Sequence, residues 1–231
     1  DQHMGNAAEW IAREYGLTRE ELDEFAYQSH MKAIAAIDEG RFEDEIVPVE
    51  VPQRRGEPIL FAVDETPRRD TSVEALARLR PAFQRDGIVT AGNSPGITDG
   101  AAATVVMSRA RADELGIKPL ARIIAYDQAA VEPLEIFTAP IFAVRKLLKK
   151  THTSVDDYDL FEVNEAFAAQ MLADMRALGL PEEKVNVNGG AIALGHPIGC
   201  SGTRVLVTLI HALRQRGLTR GLTTLCLGGG E

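Results

Sequence analysis

The stretch Gly189-Gly-Ala-Ile-Ala-Leu-Gly-His-Pro-Ile-Gly-Cys-Ser-Gly-Thr-Arg204 carries more information than any other part of the chain. It places His196 between glycine-rich turns, directly before an apolar helix predicted over residues 199–216. Glycine lets a backbone approach a ligand closely, and a helix start offers free N–H groups that favour negative charge. A histidine held there can donate to an oxygen that becomes anionic during a reaction. The alternative is a structural turn with a solvent-facing histidine.

A second segment, Asn164-Glu-Ala-Phe-Ala168, follows the short apolar run Leu160-Phe-Glu-Val163. The pattern predicts a strand, a tight turn and a helix over residues 165–178. Asn164 then lies at the carboxyl end of the strand, where α/β proteins tend to place their sites. The alternative role for Asn164 is an ordinary helix N-cap.

A third segment, Leu225-Cys-Leu-Gly-Gly-Gly-Glu231, places a thiol after a short apolar strand and before three glycines. Cys226 is therefore a candidate for chemistry. The alternative is a small buried core residue, which is the usual environment of a free cysteine.

Together the three segments resemble the thiolase family, whose Asn-Glu-Ala-Phe, Gly-His-Pro and Cys-x-Gly-Gly-Gly motifs occur in this order and at about these intervals. The segments His3-Met-Gly5, Thr90-Ala-Gly-Asn93 and Asp99-Gly-Ala-Ala-Ala103 also look like thiolase segments. The resemblance therefore extends along nearly all of the 231 residues.

Strand and helix patterns alternate towards the end of the chain, which predicts an α/β protein with a largely parallel sheet. Capping boxes at Thr18-Arg-Glu-Glu21 and Thr71-Ser-Val-Glu74 mark two helix starts, and Gly40 and Gly116 mark two helix ends. The predicted helices cover residues 6–15, 18–40, 71–81, 109–115, 141–150, 165–178 and 199–216. The predicted strands cover residues 46–51, 102–107, 120–126, 160–163 and 222–227, and residues 54–70 are expected to form an exposed loop.

The resemblance implies the five-layered αβαβα thiolase fold. Residues 1–97 look like part of the loop domain that covers coenzyme A, residues 98–118 like a segment returning to the amino-terminal domain, and residues 119–231 like the carboxyl-terminal domain. We expect the chain to lack most of the amino-terminal half and the final strand. The amino-terminal half of a thiolase carries the nucleophilic cysteine, so we expect the 231 residues alone to be inactive.

The resemblance also implies a reaction, the reversible joining of two acetyl-CoA molecules into acetoacetyl-CoA and CoA. Cys226 is the expected acid and base, because a thiol titrates near neutrality where its surroundings favour the thiolate. His196 and Asn164 form the expected oxyanion site, in which Asn164 holds a water, and the backbone N–H of Gly228 belongs to a second one. Coenzyme A is thus a substrate or product, and no other cofactor is expected.

Substrate-binding residues follow from the same resemblance. His3 and Met4 resemble the pair that lines the acyl pocket, and Phe167 would pack near the reacting carbons. Arg68 matches the arginine at the adenosine end of coenzyme A, with a solvated loop charge as the alternative. Ser94 is followed by Pro95, which stands where a serine would contact the pantetheine. Because Pro95 and Phe142 alter the usual pocket pattern, the degradative 3-ketoacyl-CoA thiolase of fatty-acid oxidation remains an alternative.

Other classes of function remain open at this point. Cysteine, histidine and asparagine also permit a hydrolase with Cys226 as nucleophile, and a non-catalytic acyl-CoA-binding module would keep the fold. The net charge of −9 argues against general nucleic-acid binding, and no apolar run approaches the roughly 20 residues of a membrane span. Two cysteines suggest no disulfide framework, and the histidines show no metal-like spacing. We expect a cytoplasmic homodimer or homotetramer without a metal site.

Overall fold

The computed structural model describes residues 3–231. Its helices are α1 (Met4–Glu14), α2 (Arg19–Asp38), α3 (Val73–Ala77), α4 (Arg109–Glu114), α5 (Ala139–Thr151), α6 (Ala168–Leu178), α7 (Ala191–Leu194) and α8 (Ser201–Gln215). Its strands are β1 (Val49–Val51), β2 (Ile59–Phe61), β3 (Leu160–Val163) and β4 (Gly221–Thr224). Short 3-10 turns cover Pro133–Thr138, Val155–Asp157 and Glu182–Lys184.

The helix boundaries follow from local chemistry. The predicted capping box at the start of α2 is confirmed: Thr18 Oγ1 accepts from Glu21 N at 3.3 Å, and Thr18 N donates to Glu21 Oε2 at 2.8 Å. The capping box predicted at Thr71 does not form: Ser72 caps α3 instead, and its side chain accepts from Ala75 N. Gly40 adopts a left-handed φ of +68° after α2, where a residue without Cβ avoids strain.

The carboxyl-terminal part is a sheet of two parallel strands between helices. β3 pairs with β4 in the register Leu160↔Gly221 to Val163↔Thr224. Phe161 and Val163 pack in the cluster that contains Val144 of α5 and Met171 of α6. The alternate residues face α8, since Leu160 packs with Leu209. Two helical layers therefore enclose the sheet, and the alternation of a strand assigns each side chain to one of them.

The main core lies where α1, α2 and α6 meet. Its members are buried apolar side chains of these helices and of the 3-10 turn at Pro133–Thr138, among them Ile11, Leu22, Phe137 and Ala169. Most of the helical residues in it are alanines, which lets the helices approach each other closely. α6 therefore packs on two sides, against this core and against the sheet.

Two predicted strands are absent, and one unpredicted strand is present. Residues 102–107 and 120–126 form no strand, and Val105 and Tyr126 are 87% and 82% exposed. A strand needs a hydrogen-bonded neighbour, and the described residues supply none to these two apolar segments. In the region predicted as a loop, Ile59–Phe61 pairs antiparallel with Val49–Val51, so the largely parallel sheet is accompanied by an exposed hairpin.

Gly189 is a position at which backbone geometry restricts the sequence to glycine. Its φ is +77°, and a Cβ added there would lie 2.6 Å from the carbonyl oxygen of Ser29 and 2.7 Å from Cβ of Ala33. The loop before α7 thus lies directly on the backbone of α2. A side chain cannot be added without moving one of these elements.

Gly189→Ala is predicted to lower the free energy of unfolding by about 2–5 kcal/mol. Left-handed backbone costs a non-glycine residue about 1–2 kcal/mol, and overpacking adds about 1–3 kcal/mol. Gly217→Ala is the matched control, because Gly217 has a φ of +65° but open space around an added Cβ. Urea unfolding of both variants measures the difference, and equal destabilisation would show that the contact with α2 is unimportant.

Candidate active site

A buried carboxylate fixes the turn after β3. Glu165 is 1% exposed and accepts from Ser29 Oγ at 2.7 Å, Asn186 Nδ2 at 3.0 Å and Ile192 N at 2.9 Å. These donors lie on α2, on the loop before α7 and on α7. Residues 165–167, which were predicted to begin the helix, are therefore not helical, and α6 begins only at Ala168.

Asn164 lies at the carboxyl end of β3, as predicted. Its backbone N–H donates to Thr224 O at 3.1 Å, which continues the ladder with β4. Its side chain is buried, and neither Oδ1 nor Nδ2 has a hydrogen-bond partner in the protein. Buried amides normally find partners in protein or in ordered water. The amide of Asn164 is therefore available to hold a small polar molecule.

His196 precedes α8, whose N-terminus lies at the same edge of the sheet. Its backbone N–H donates to Gly96 O at 2.8 Å, which joins the Gly-His-Pro loop to the segment that follows Asn93. Its Nδ1 lies 2.6 Å from Ser201 Oγ. Burial, and then the positive charge of Arg204, lower the pKa of the imidazole. The ring is therefore neutral at neutral pH and can present Nε2 to a ligand.

The segment around Ser94 is held tightly to the helices. Asn93 is fully buried, donates to Asp23 Oδ1 at 2.9 Å and accepts from Ala168 N through its carbonyl at 3.0 Å. Ser94 Oγ donates to Thr90 O at 2.7 Å. The hydroxyl of Ser94 is thus committed as a donor within its own loop and can serve a ligand only as an acceptor.

Cys226 lies two residues beyond β4, is half-buried and packs against the core of α1, α2 and α6. Burial, and then the nearby carboxyl of Asp174, raise the pKa of its thiol to about 12. The expectation that these surroundings favour the thiolate is therefore not met within the described residues. At neutral pH, Cys226 is therefore a protonated thiol, which can give a proton. It can accept a proton only after a donor or cation outside these surroundings has stabilised its thiolate.

An aromatic cluster joins two predicted substrate residues. The ring of His3 stacks on Phe83 at 4.8 Å, and Phe83 and Phe137 each meet Phe167 edge-on, at 6.0 and 5.3 Å. Phe167 is 8% exposed, whereas Met4 is 42% exposed at the start of α1. Phe167 is therefore a core residue whose ring also supports the edge of the site.

The other two predicted residues are less enclosed. Arg68 is exposed, and its backbone N–H donates to Nδ1 of buried His30 on α2 at 3.1 Å. Gly228 is exposed, and an added Cβ would meet no atom. Asn164 and Phe167 thus lie in the turn after β3, Cys226 lies just beyond β4 and His196 lies in the loop before α8, while Arg68 is bound to α2.

An open groove of about 390 Å³ lies beside His196, between residues 98–102 and 197–200. Gly195 packs so closely on Thr98 that a Cβ would lie 2.5 Å from its Oγ1. Among residues 3–231, no group of three or more His, Cys, Asp or Glu side chains could hold a metal ion. In the same residues, no helix combines the length and apolarity needed to cross a membrane.

Sequence reasoning missed several groups. Glu162 is 1% exposed on the α8 side of β3, with Oε2 3.5 Å from Arg204 Nη1. The sequence did mark Glu162, because it is a charged residue within the apolar run Leu160-Phe-Glu-Val163. Ser201 gave no such signal, because a serine near a helix start is usually read as a cap.

These groups define a class of protein: an α/β protein that gathers a histidine, a thiol and a buried asparagine at the carboxyl ends of two parallel strands. Two family models match the chain, "Thiolase, N-terminal domain" over residues 1–110 and "Thiolase, C-terminal domain" over residues 117–231. The chain belongs to the thiolase family.

Curated relatives carry related names. An acetyl-CoA acetyltransferase of Pseudomonas aeruginosa is 58% identical over 231 residues, covering 100% of this chain and 59% of the relative. A probable acetyl-CoA acyltransferase of Staphylococcus aureus is 56% identical over 229 residues, covering 99% of this chain and 58% of the relative. The chain therefore spans somewhat more than half the length of the relatives it matches.

Solved structures agree on the fold. The crystal structure of the Bacillus anthracis acetyl-CoA acetyltransferase matches with a TM-score of 0.96 and 51% identity, covering 99% of this chain and 58% of that one. The acetyl-CoA acetyltransferase of Syntrophomonas wolfei matches with a TM-score of 0.92 and 41% identity, with the same coverage. The chain thus has the fold of the corresponding part of a thiolase.

The buried carboxyl of Glu162 should make stability depend on pH. Burial raises its pKa from 4.5 to about 8, with Arg204 opposing that effect. A raised pKa contributes stability that is fully present below pH 4.5 and is lost as the pH rises to about 8. Glu162→Gln should therefore gain stability relative to the parent between these limits, by at most about 1.4 kcal/mol per pH unit.

Thermal or urea unfolding at several pH values between 4.5 and 9 measures this difference. Glu57→Gln, in the exposed hairpin loop, is the control and should follow the parent at every pH. A Glu162→Gln variant whose stability relative to the parent does not rise with pH would contradict the buried, protonated carboxyl.

Proposed function

We propose that the complete protein containing this chain is an acyltransferase that catalyses the reversible condensation of two acetyl-CoA molecules to acetoacetyl-CoA and CoA. The observation that carries the proposal is that Asn164 and Cys226 follow the carboxyl ends of the paired strands β3 and β4, with His196 in the loop before α8. The names of the relatives support it, since they are called acetyl-CoA acetyltransferases. The five-layered thiolase fold, with boundaries near residues 97 and 118, belongs to the same proposal.

In the condensation, a base removes a proton from the methyl carbon of the second acetyl thioester. Cys226 would take this proton as a thiolate, which a donor or cation outside these residues would have to stabilise, and in reverse its thiol would return the proton to the departing enolate. The carbonyl oxygen gains negative charge, and His196 Nε2–H and a water held by Asn164 would donate to it. Oxyanion donors of this kind are typically worth about 3–4 kcal/mol of barrier.

The acetyl group to be attacked needs its own carrier. We propose that it is a cysteine outside these 231 residues, with the N–H of Gly228 donating to the acyl oxygen. When the new C–C bond forms, the C–S bond to that cysteine breaks and its thiolate leaves.

The Cys-His-Asn hydrolase fits the contacts less well. A hydrolytic histidine needs one ring nitrogen oriented by the asparagine. Here Nδ1 of His196 contacts Ser201, and the side chain of Asn164 bonds to no protein group. The observed arrangement is suited to stabilising an anionic oxygen rather than to activating a nucleophile.

Loss of either reacting group should abolish most of the activity of the full-length protein. His196→Ala is predicted to lower kcat for acetoacetyl-CoA thiolysis by about 10²–10³-fold, the usual cost of one oxyanion donor. Cys226→Ser should be at least as severe, because a hydroxyl is a far weaker acid than a thiol. Loss of the thioester absorbance measures the rate.

Cys200→Ser is the matched control, because Cys200 is the other cysteine of the chain and lies in the loop of His196. It should keep activity within a few-fold of the parent. An active His196→Ala variant would refute the proposed role. A parent enzyme that prefers long 3-ketoacyl-CoA over acetoacetyl-CoA would establish the degradative alternative.

Binding of coenzyme A should depend on Arg68 but not on its neighbour. Arg68→Ala is predicted to raise KM for CoA about tenfold, as expected for the loss of one charge-assisted contact, with kcat nearly unchanged. Arg69 forms an ion pair with Asp38, so Arg69→Ala should leave KM within about twofold. Equal effects of the two substitutions on KM would point to general charge attraction instead of a specific contact.

A further inference from the structure

The segment that carries Arg68 is tied to α2 by a buried histidine. The backbone N–H of Arg68 donates to Nδ1 of His30 at 3.1 Å. His30 is 5% exposed, whereas Arg68 itself is exposed. The side chain of Arg68 therefore reaches solvent, where a ligand can meet it, while its backbone is held by a side chain inside the protein.

The donor and the acceptor in this contact follow from the groups themselves. A backbone N–H can only donate, so Nδ1 of His30 is the acceptor. A ring nitrogen that accepts a hydrogen bond carries no proton, and the neutral ring then has its proton on Nε2. Protonation of the ring would turn Nδ1 into a donor, and the hydrogen bond from Arg68 N would be lost.

A second contact between this segment and α2 lies in solvent. Arg69 Nη1 donates to Asp38 Oδ2 at 2.9 Å, and both side chains are exposed. Exposed ion pairs contribute little to stability and are screened by salt. The buried hydrogen bond from Arg68 N to His30 is therefore the contact that fixes where the backbone of Arg68 lies.

No carboxylate acts on His30 to favour its protonated form within the described residues. On its own helix, the residues three and four positions away are uncharged at neutral pH; they are Ala26, Tyr27, Ala33 and Ile34. The elements that pack against α2 carry a few titratable groups, and none of them shifts the pKa of this ring. They are Glu74 of α3, Glu165 of the turn before α6, and Asp174 and Arg176 of α6.

The charge that does act on the ring is that of Arg68. Burial, and then this positive charge, lower the pKa of His30 below its ordinary value of 6.5. The ring is therefore neutral at neutral pH. A proton taken up at lower pH would remove the acceptor and place a second positive charge beside Arg68, so both effects release the segment.

We propose that His30 is a positioning residue for coenzyme A: its unprotonated Nδ1 holds the backbone of Arg68 against α2 and so places the guanidinium where it meets the adenosine end of the ligand. This role rests on the proposed function, in which Arg68 contacts coenzyme A. His30 takes no part in the chemical step. It should therefore affect the binding of CoA and leave kcat nearly unchanged.

The first test is the Kd of the full-length protein for CoA at pH 8, measured by titration calorimetry. His30→Leu removes the acceptor and should raise Kd several-fold, up to about the tenfold predicted for the KM of Arg68→Ala. His30→Asn should keep Kd within about twofold, because its Oδ1 can accept from Arg68 N in the place of Nδ1. The kcat for thiolysis should stay within about twofold of the parent in both variants.

His152→Asn is the matched control, because it makes the same substitution at an exposed residue after α5 and should leave Kd unchanged. Melting temperatures verify that the variants are folded. An unchanged Kd in folded His30→Leu, or a Kd in folded His30→Asn as high as that in His30→Leu, overturns the proposal.

The second test follows Kd for CoA from pH 8 to pH 5 in the parent and in His30→Asn. Asparagine does not titrate, so only the parent should lose the contact, and the ratio of its Kd to that of His30→Asn should rise as the pH falls below 6.5. Titration of CoA itself affects both proteins alike and cancels in the ratio. A constant ratio, as a merely structural histidine would give, overturns the proposal. A ratio that falls, because a charged His30 attracts the anionic ligand, also overturns it.

Nitrogen NMR of the full-length protein labelled with ¹⁵N-histidine examines the contact without any ligand. The signals of His30 are those missing from either variant, and at pH 8 they should show an unprotonated Nδ1 and a protonated Nε2. A protonated Nδ1 at pH 8 overturns the proposal. A parent whose binding of CoA depends on His30 as expected, but which does not cleave acetoacetyl-CoA, refutes the proposed reaction and leaves the role of His30 standing.

Discussion

The arrangement of this site depends on one buried carboxylate. Glu165 follows Asn164 in the chain and binds three donors, from Ser29, Asn186 and Ile192. Leaving such donors unpaired in a buried place costs about 1–3 kcal/mol each, so the carboxylate locks α2, the end of β3 and the loop that leads to α7 into one relative position. The close contact of that loop with α2 has the same origin. The carboxylate acts together with the hydrogen bonds that Asn186 makes with Val163 of β3.

Burial and the charge of Arg204 then determine the protonation of the groups near this turn. Arg204 lies on the same side of β3 as Glu162, whose burial favours the protonated acid. The guanidinium disfavours a charged His196, and burial beside a carboxyl keeps Cys226 a thiol. The site thus holds a neutral donor and a protonated thiol in fixed places. Preorganised donors of this kind need little rearrangement when charge develops on a substrate oxygen.

Sequence reasoning found the elements whose signals are local. The capping box at Thr18, the glycine ends of helices, and the strand that ends at Asn164 are all present, because a few neighbouring residues determine each of them. Residues 102–107 and 120–126 were wrongly predicted as strands, because apolar content indicates burial and β-propensity but not whether a neighbouring strand is available. The candidate site residues that belong to the three sequence motifs, such as Asn164, His196 and Cys226, could be named from the sequence. The contact of Ser201 with His196 and the raised pKa of Cys226 could not be predicted, because both depend on atoms brought close by the fold.

The central claim is that the edge of the sheet formed by β3 and β4 receives an acyl thioester with its carbonyl oxygen towards His196. A crystal structure of the full-length protein with bound acetyl-CoA tests it most directly. The account predicts the thioester oxygen within hydrogen-bond distance of His196 Nε2, at about 2.7–3.1 Å, with the methyl carbon facing the sulfur of Cys226. A thioester bound elsewhere, or one whose oxygen points away from His196, would contradict it.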